Sequence, residues 1–153
     1  MAKILIIDDE KSILTLLREA LTKFGYDVAV AEDGQEGIQK FENGRFDLVI
    51  TDMLMPRMNG DMVVRHIRKS NRRFTPVIGC SGTPWVLEGC DFDMVLTKPF
   101  QLKEIGNAIE NLIAEFSTQT PIGDSRRDKL VIETDLSDYR LQIKDIPYQS
   151  DII

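Results

Sequence analysis

Over the first 116 residues, short apolar runs of strand type alternate with helical segments, and this alternation narrows the fold more than any other feature. Ile4-Leu5-Ile6-Ile7 is a continuous apolar run, the pattern of a strand covered on both faces. Ile13, Leu14, Leu17, Ala20, Leu21 and Phe24 then recur at helical spacing, with Gly25 placed to stop the helix. Tyr26, Val28 and Val30 alternate as in a strand. Gly34 to Asn43 reads as a shorter helix with Ile38 and Phe41 inward. Phe46–Ile50 gives a third strand, Asp61–Ser70 a helix, Pro76–Cys80 a fourth strand and Met94–Leu96 a fifth. Gln101–Phe116 is an amphipathic helix.

Alternation at this spacing implies an α/β domain: a doubly wound parallel sheet with helices on both faces. Ligands in such folds bind outside the carboxyl ends of the strands. Four chemically loaded features fall at those ends. Asp8-Asp9-Glu10 follows the first strand, Asp52 the third, Ser81 the fourth and Lys98 the fifth.

Together these groups suit phosphoryl transfer. Clustered carboxylates repel one another unless a cation sits among them. Hard oxygen ligands without thiolate or imidazole favour Mg²⁺ or Mn²⁺. Asp52 is then the candidate nucleophile, Lys98 a charge for a phosphoryl oxygen and Ser81 a hydroxyl for another. Taken singly, each has a plainer reading: Asp9 is also placed to cap the first helix, and Asp52 to serve as a strand-end turn residue.

The first 116 residues resemble the receiver domain of bacterial two-component response regulators. The motifs that carry the resemblance are Ile4-Leu5-Ile6-Ile7-Asp8-Asp9-Glu10, Asp52-Met53-Leu54-Met55-Pro56-Arg57-Met58-Asn59-Gly60, Cys80-Ser81-Gly82 and Leu96-Thr97-Lys98-Pro99-Phe100. The resemblance implies a flavodoxin-like (CheY-like) five-stranded sheet of order 2-1-3-4-5. It implies phosphoryl transfer from the phosphohistidine of a sensor histidine kinase, or from a phosphotransfer protein, to Asp52. It further implies Mg²⁺ held by Asp9, Asp52 and the backbone carbonyl of Leu54, with Asp8 acting through water. Lys98 would contact the phosphoryl group next to a cis bond to Pro99, Ser81 would be the switch hydroxyl, and Gly82 would leave the site open.

Two departures from the family pattern stand out. Val95 occupies the position three residues before the lysine where an aromatic is usual. Ser81 and Lys98 are also closer in sequence than the family norm, so the intervening helix must be short or irregular. Pro84 and Gly89 agree with that, and Trp85 is a candidate anchor for the remnant or a contact for a partner. Met53, Leu54, Met55 and Met58 read as loop packing. His66 reads as a surface or boundary residue. Arg65, Arg68, Lys69, Arg72 and Arg73 read as the solvated face and end of a helix. Cys80 should lie in a buried strand and Cys90 at the surface.

Residues 1–116 are therefore expected to form the receiver and 117–129 a linker. Residues 130–153 are expected to form a C-terminal extension, a β-hairpin-like arm over Leu130–Ile132 and Tyr139–Ile143 that docks on the receiver or another protomer. A net charge of −6 argues against a broad nucleic-acid-binding surface, and the tail lacks a helix-turn-helix pattern, so no direct DNA binding is expected. Two unpatterned cysteines, no signal-type h-region and no membrane-length apolar run point to the cytoplasm. Expected partners are the kinase or phosphotransfer protein, a downstream protein and a second copy of the chain as a homodimer. Two rivals remain at this stage. One is an aspartate-nucleophile phosphatase of haloacid-dehalogenase type, which would need an aspartate where Leu54 stands. The other is a receiver-like binding module without phosphotransfer. The reading preferred is a phosphoacceptor that is not itself an enzyme in the usual sense.

Overall fold

A computed structural model of the chain describes residues 1–118. The elements run β1 (Lys3–Ile7), α1 (Lys11–Lys23), β2 (Asp27–Ala31), α2 (Gly34–Asn43), β3 (Leu48–Asp52), α3 (Gly60–Lys69), β4 (Val77–Ser81), a 3-10 turn (Pro84–Leu87), β5 (Met94–Thr97) and α4 (Leu102–Thr118). All four strand pairings are parallel, in the order β2-β1-β3-β4-β5. The expected sheet is present. Of the linker expected over 117–129, Ser117 and Thr118 still belong to α4; the rest of it and the hairpin-like arm expected over 130–153 lie outside the described residues.

Alternate residues of the strands feed two apolar layers. Ile4, Ile6, Leu48, Ile50, Ile78, Cys80, Met94 and Leu96 pack with Leu14, Leu17 and Leu21 of α1 and with Ile105, Ile109 and Leu112 of α4. Leu5, Ile7, Val49 and Val77 face the other way, onto Phe41 of α2 and Val63, Val64 and Ile67 of α3. The two-residue period of the strands explains this division. β3 and β4 are buried along their whole length because both faces of the central sheet are covered. α1 stops where expected: Gly25 takes φ +93°, and its N–H donates to the Thr22 carbonyl.

Strand limits differ from the sequence reading at two functional positions. β3 and β4 begin and end later, so Asp52 and Ser81 are the last residues of their strands rather than residues beyond them. Pairing causes the extension, since Asp52 lies opposite Cys80 and Ser81 opposite Thr97. Pro76 has no N–H to give the ladder, and it enters only through its carbonyl, which accepts from Val49 N–H.

Between Ser81 and β5 the chain forms only the 3-10 turn Pro84–Leu87. Here two expectations are corrected. Trp85 is 70% exposed and anchors nothing. Leu87, Cys90 and Phe92 are the buried residues of this connection, so Cys90 is interior rather than surface. Phe92 lies against Gly79 of β4, where an added Cβ would stand 2.6 Å from the ring. With no helix to cover this part of the sheet, the aromatic ring fills the space.

The arginine-rich stretch also departs from expectation. Arg65, Lys69 and Arg73 face solvent, but Arg68 and Arg72 turn inward. Arg68 pairs with the buried carboxylate of Asp93 at 2.6 Å and donates to the carbonyls of Arg73, Thr75 and Asp91. Asp93 Oδ2 also accepts from Val77 N–H at 2.8 Å. This network fastens the entry of β5 to the start of β4. Arg72 donates to carbonyls at the end of α2, from Phe41, Glu42 and Gly44, and stacks on the Phe41 ring. His66 sits at the boundary as expected, 2.8 Å from Glu42.

Candidate functional site

Parallel pairing brings the carboxyl ends of β1, β3, β4 and β5 to one edge of the sheet. Asp8 leaves β1 and is held by two backbone bonds: its N–H donates to Ala31, and its Oδ1 accepts from Glu10 N–H at 2.9 Å. Asp9 is exposed beside it. Glu10 is the N-cap of α1 and makes no side-chain cap bond, so Asp9 is not the cap residue of that helix. Asp52 is 8% exposed at the end of β3. One carboxylate oxygen from each of Asp8, Asp9 and Asp52 lies within 4.8 Å of the other two.

Lys98 reaches into this cluster from the end of β5. Its Nζ stands 3.0 Å from Asp8 Oδ2 and 3.4 Å from Asp52 Oδ1. The backbone places it there, because Lys98 N–H donates to the Ser81 carbonyl at 2.9 Å and the following bond to Pro99 is cis. Ser81 is buried, and its Oγ accepts from Thr83 N–H at 3.0 Å. Gly82 next to it is exposed, and a Cβ there would meet nothing within 4 Å. The edge above Ser81 is therefore open. Four of the side chains singled out in the sequence come together, Asp8, Asp9, Asp52 and Lys98, and Ser81 sits on the same edge through its backbone bond to Lys98. Leu54 follows Asp52 with its side chain outward.

The electrostatics follow from burial and from one ammonium facing the Asp8 and Asp52 carboxylates. Burial pushes the Asp52 carboxyl up to about 6; Asp8 and Asp9 push the same way, and Lys98 opposes them. Burial pulls Lys98 down, but the Asp8 and Asp52 carboxylates outweigh it, leaving its pKa above the usual lysine value. Burial raises the Cys80 thiol to about 12, so it stays protonated and offers no thiolate.

The donor set fits a hard divalent cation. Three convergent carboxylates, no available thiolate and no imidazole are the chemistry of a Mg²⁺ site. Asp8, Asp9 and Asp52 are the side chains that could hold the ion. Leu54 stands where a dehalogenase-type phosphatase needs its second aspartate, so the site does not supply that enzyme's acid–base pair.

Sequence reading missed the Arg68–Asp93 pair and the Thr83–Ser81 bond. The first joins residues 25 apart across two elements, and no local pattern marks it. The second had a weak signal, a serine two residues before a turn.

Comparison with known proteins gives a consistent picture. The profile of the response regulator receiver domain matches residues 4–110. Among curated proteins, the alkaline phosphatase synthesis transcriptional regulatory protein PhoP of Bacillus subtilis is 29% identical over 149 residues, covering 91% of this chain and 60% of that protein. The response regulator ArlR of Staphylococcus saprophyticus is 33% identical over 110 residues, covering 69% of this chain and 49% of its own. The chain thus spans about half the length of the curated relatives it matches. Among solved structures, the response regulator TrrA of Thermotoga maritima, in complex with Mg²⁺ and BeF, is 32% identical with a TM-score of 0.66, covering 73% of this chain and 99% of that one.

Proposed function

Since the chain belongs to the response regulator receiver family, we propose that Asp52 accepts a phosphoryl group from the phosphohistidine of a histidine kinase or phosphotransfer protein. The observation that carries this reading is the convergence of the Asp8, Asp9 and Asp52 carboxylates within 4.8 Å, with Lys98 spanning Asp8 and Asp52. The neighbour TrrA, solved with Mg²⁺ and BeF, supports the same site for this chain.

In the proposed reaction an ionised Asp52 oxygen attacks phosphorus. A P–O bond forms and the P–N bond to imidazole breaks, with its electron pair leaving on the ring nitrogen. The buried position of Asp52 excludes competing water from the nucleophile. Lys98 Nζ can turn from the carboxylates to a phosphoryl oxygen, and the Ser81 hydroxyl can donate to another. Asp9, Asp52 and the Leu54 backbone carbonyl would hold Mg²⁺, with Asp8 acting through water, and the ion would supply charge neutralisation for the transferring group. The barrier is lowered by positioning and fixed charge, so the chain acts as a phosphoacceptor and not as a turnover enzyme. Signalling then runs through altered contacts with a downstream protein or a second copy of the chain. No helix among the described residues is long and apolar enough to cross a membrane. A cytoplasmic site for the reaction is proposed from family membership.

The test is chemical. The chain incubated with acetyl phosphate and Mg²⁺ should gain the mass of one phosphoryl group, and an Asp52→Ala variant should not. A wild-type protein that gains no phosphoryl group and binds no beryllofluoride would sink the reading.

A further inference from the structure

The loop from Asp52 to α3 contains an unusual turn. Met58 N–H donates to the Pro56 carbonyl at 2.7 Å, and Arg57 between them has φ +67°. A non-glycine residue there, closed by an i to i+2 bond, is a rare and strained arrangement. Such strain lasts only where the surroundings over-determine the backbone. Leu54 exposes its side chain, so its backbone is placed by neighbours.

Two glycines grip this loop from opposite sides. On the α3 side, Gly60 N–H donates to the Met53 carbonyl at 2.9 Å, and a Cβ on Gly60 would stand 2.5 Å from the Asp52 carbonyl oxygen. On the α2 side, a Cβ on Gly34 would stand 2.8 Å from Met58 Cγ, and 3.0 Å from both Met58 Cβ and the Met58 carbonyl oxygen. The first turn of α2 cannot easily yield. Asp33 accepts from Glu36 N–H at 2.7 Å, and the Glu36 carboxylate accepts from Glu32 N–H at 2.8 Å. Bulk added at Gly34 must therefore displace Met58, and its carbonyl at 3.0 Å limits where it can go.

We propose that Gly34 is a positioning residue for the metal and phosphoryl site, acting through Met58. Its missing side chain seats Met58 against α2, and that seat fixes the loop that begins at Asp52 and carries the Leu54 carbonyl. The inference rests on the reading of the Asp52 site as a Mg²⁺-dependent phosphoacceptor. It also gives the site a mechanical link to α2 that does not pass through Val95.

The experiment uses the full chain and its Gly34→Ala, Met58→Ala and double variants. Mg²⁺ affinity is measured by calorimetry, and amide exchange at Met58 and thermal melting are measured without metal. Gly34→Ala should weaken Mg²⁺ binding about tenfold or more, as loss of outer support does at other metal sites, and should speed Met58 exchange. Met58→Ala introduced into that background should restore part of the affinity, although it deletes a contact. A purely structural glycine would lower melting and leave the affinity alone. Unchanged affinity in Gly34→Ala, or no recovery in the double variant, would overturn the proposal. Should Gly34→Ala fail to fold, Met58→Ala alone decides: affinity should fall severalfold, and unchanged affinity overturns the proposal. Absence of Mg²⁺ binding by the wild type would instead overturn the site reading, and the inference with it.

Discussion

Lys98 Nζ stands 3.4 Å from Asp52 Oδ1, yet Asp52 keeps its proton up to about pH 6. Burial outweighs the counter-ion, because Lys98 divides its charge between Asp52 and the closer Asp8. The site without metal thus holds an acid that ionises at a cost.

That cost has a sign and a window. The ordinary carboxyl titrates near 3.8 and the folded one near 6, so between these values the folded state binds more proton. The stability contributed by Asp52 therefore falls as pH rises through this range, by at most about 3 kcal/mol. In EDTA, Asp52→Asn should be more stable than wild type at pH 7.5, and the gain should shrink toward pH 4. Urea denaturation at both values checks this; an equal difference at the two would contradict it. Mg²⁺ should stabilise wild type at pH 7.5 and leave the variant nearly unaffected.

Lys98 shifts stability in the same direction, but far above neutral pH. Its folded pKa lies above the ordinary 10.5, so its stabilising contribution is complete below that value and is lost as pH rises through the folded one. At neutral pH the ammonium is fixed, and its loss should show in chemistry. Lys98→Met should slow modification by acetyl phosphate about 100-fold, the scale of removing one preorganised charge. Mass spectrometry over a time course reads this directly. A rate within threefold of wild type would remove Lys98 from the mechanism.

The Arg68–Asp93 pair should carry measurable stability. Asp93 is bonded by Arg68 and by Val77 N–H, so Arg68→Ala leaves a carboxylate facing the protein interior. A loss of about 3 kcal/mol is expected, against near-neutrality for the exposed neighbour Arg65→Ala. Urea unfolding of the two variants compares them.

Phe92 and Trp85 give a paired prediction about the shortened connection. Gly79→Ala forces a methyl group to within 2.6 Å of the Phe92 ring and should cost about 1–3 kcal/mol. Trp85→Ala removes a larger group, yet one that is 70% exposed, and should change stability by less than about 0.5 kcal/mol. Thermal melting of both variants reads the contrast. A destabilising Trp85→Ala would show that this side chain packs where the structure leaves it outward.

The pattern of residues made the sheet and its order readable because each strand is short, apolar and followed by a helix of the right period. Asp8, Asp9, Asp52, Ser81 and Lys98 were readable for the same reason: chemistry at strand ends converges once the strands are parallel. What sequence could not show was partnership at long range. Arg68 resembles its solvated neighbours in type and spacing, and only the approach of Asp93 from another element turns it inward. Trp85 and Phe92 are both aromatic and seven residues apart. Which of them fills the gap depends on the space above Gly79, a property of the assembled sheet.

Along the sheet edge, Asp8, Asp52, Ser81 and Lys98 stand at the carboxyl ends of β1, β3, β4 and β5, neighbours in that order. Each backbone is placed by pairing or a hydrogen bond to an adjacent strand, while the Asp8 and Ser81 side chains are also held by the segments that follow them, through Glu10 N–H and Thr83 N–H. Between Thr83, which holds the Ser81 hydroxyl, and Asp93, which ties β5 to β4, the connection has no bond to the site groups among those described. A single 3-10 turn therefore suffices to return the chain from β4 to β5 with Lys98 delivered to Asp8 and Asp52.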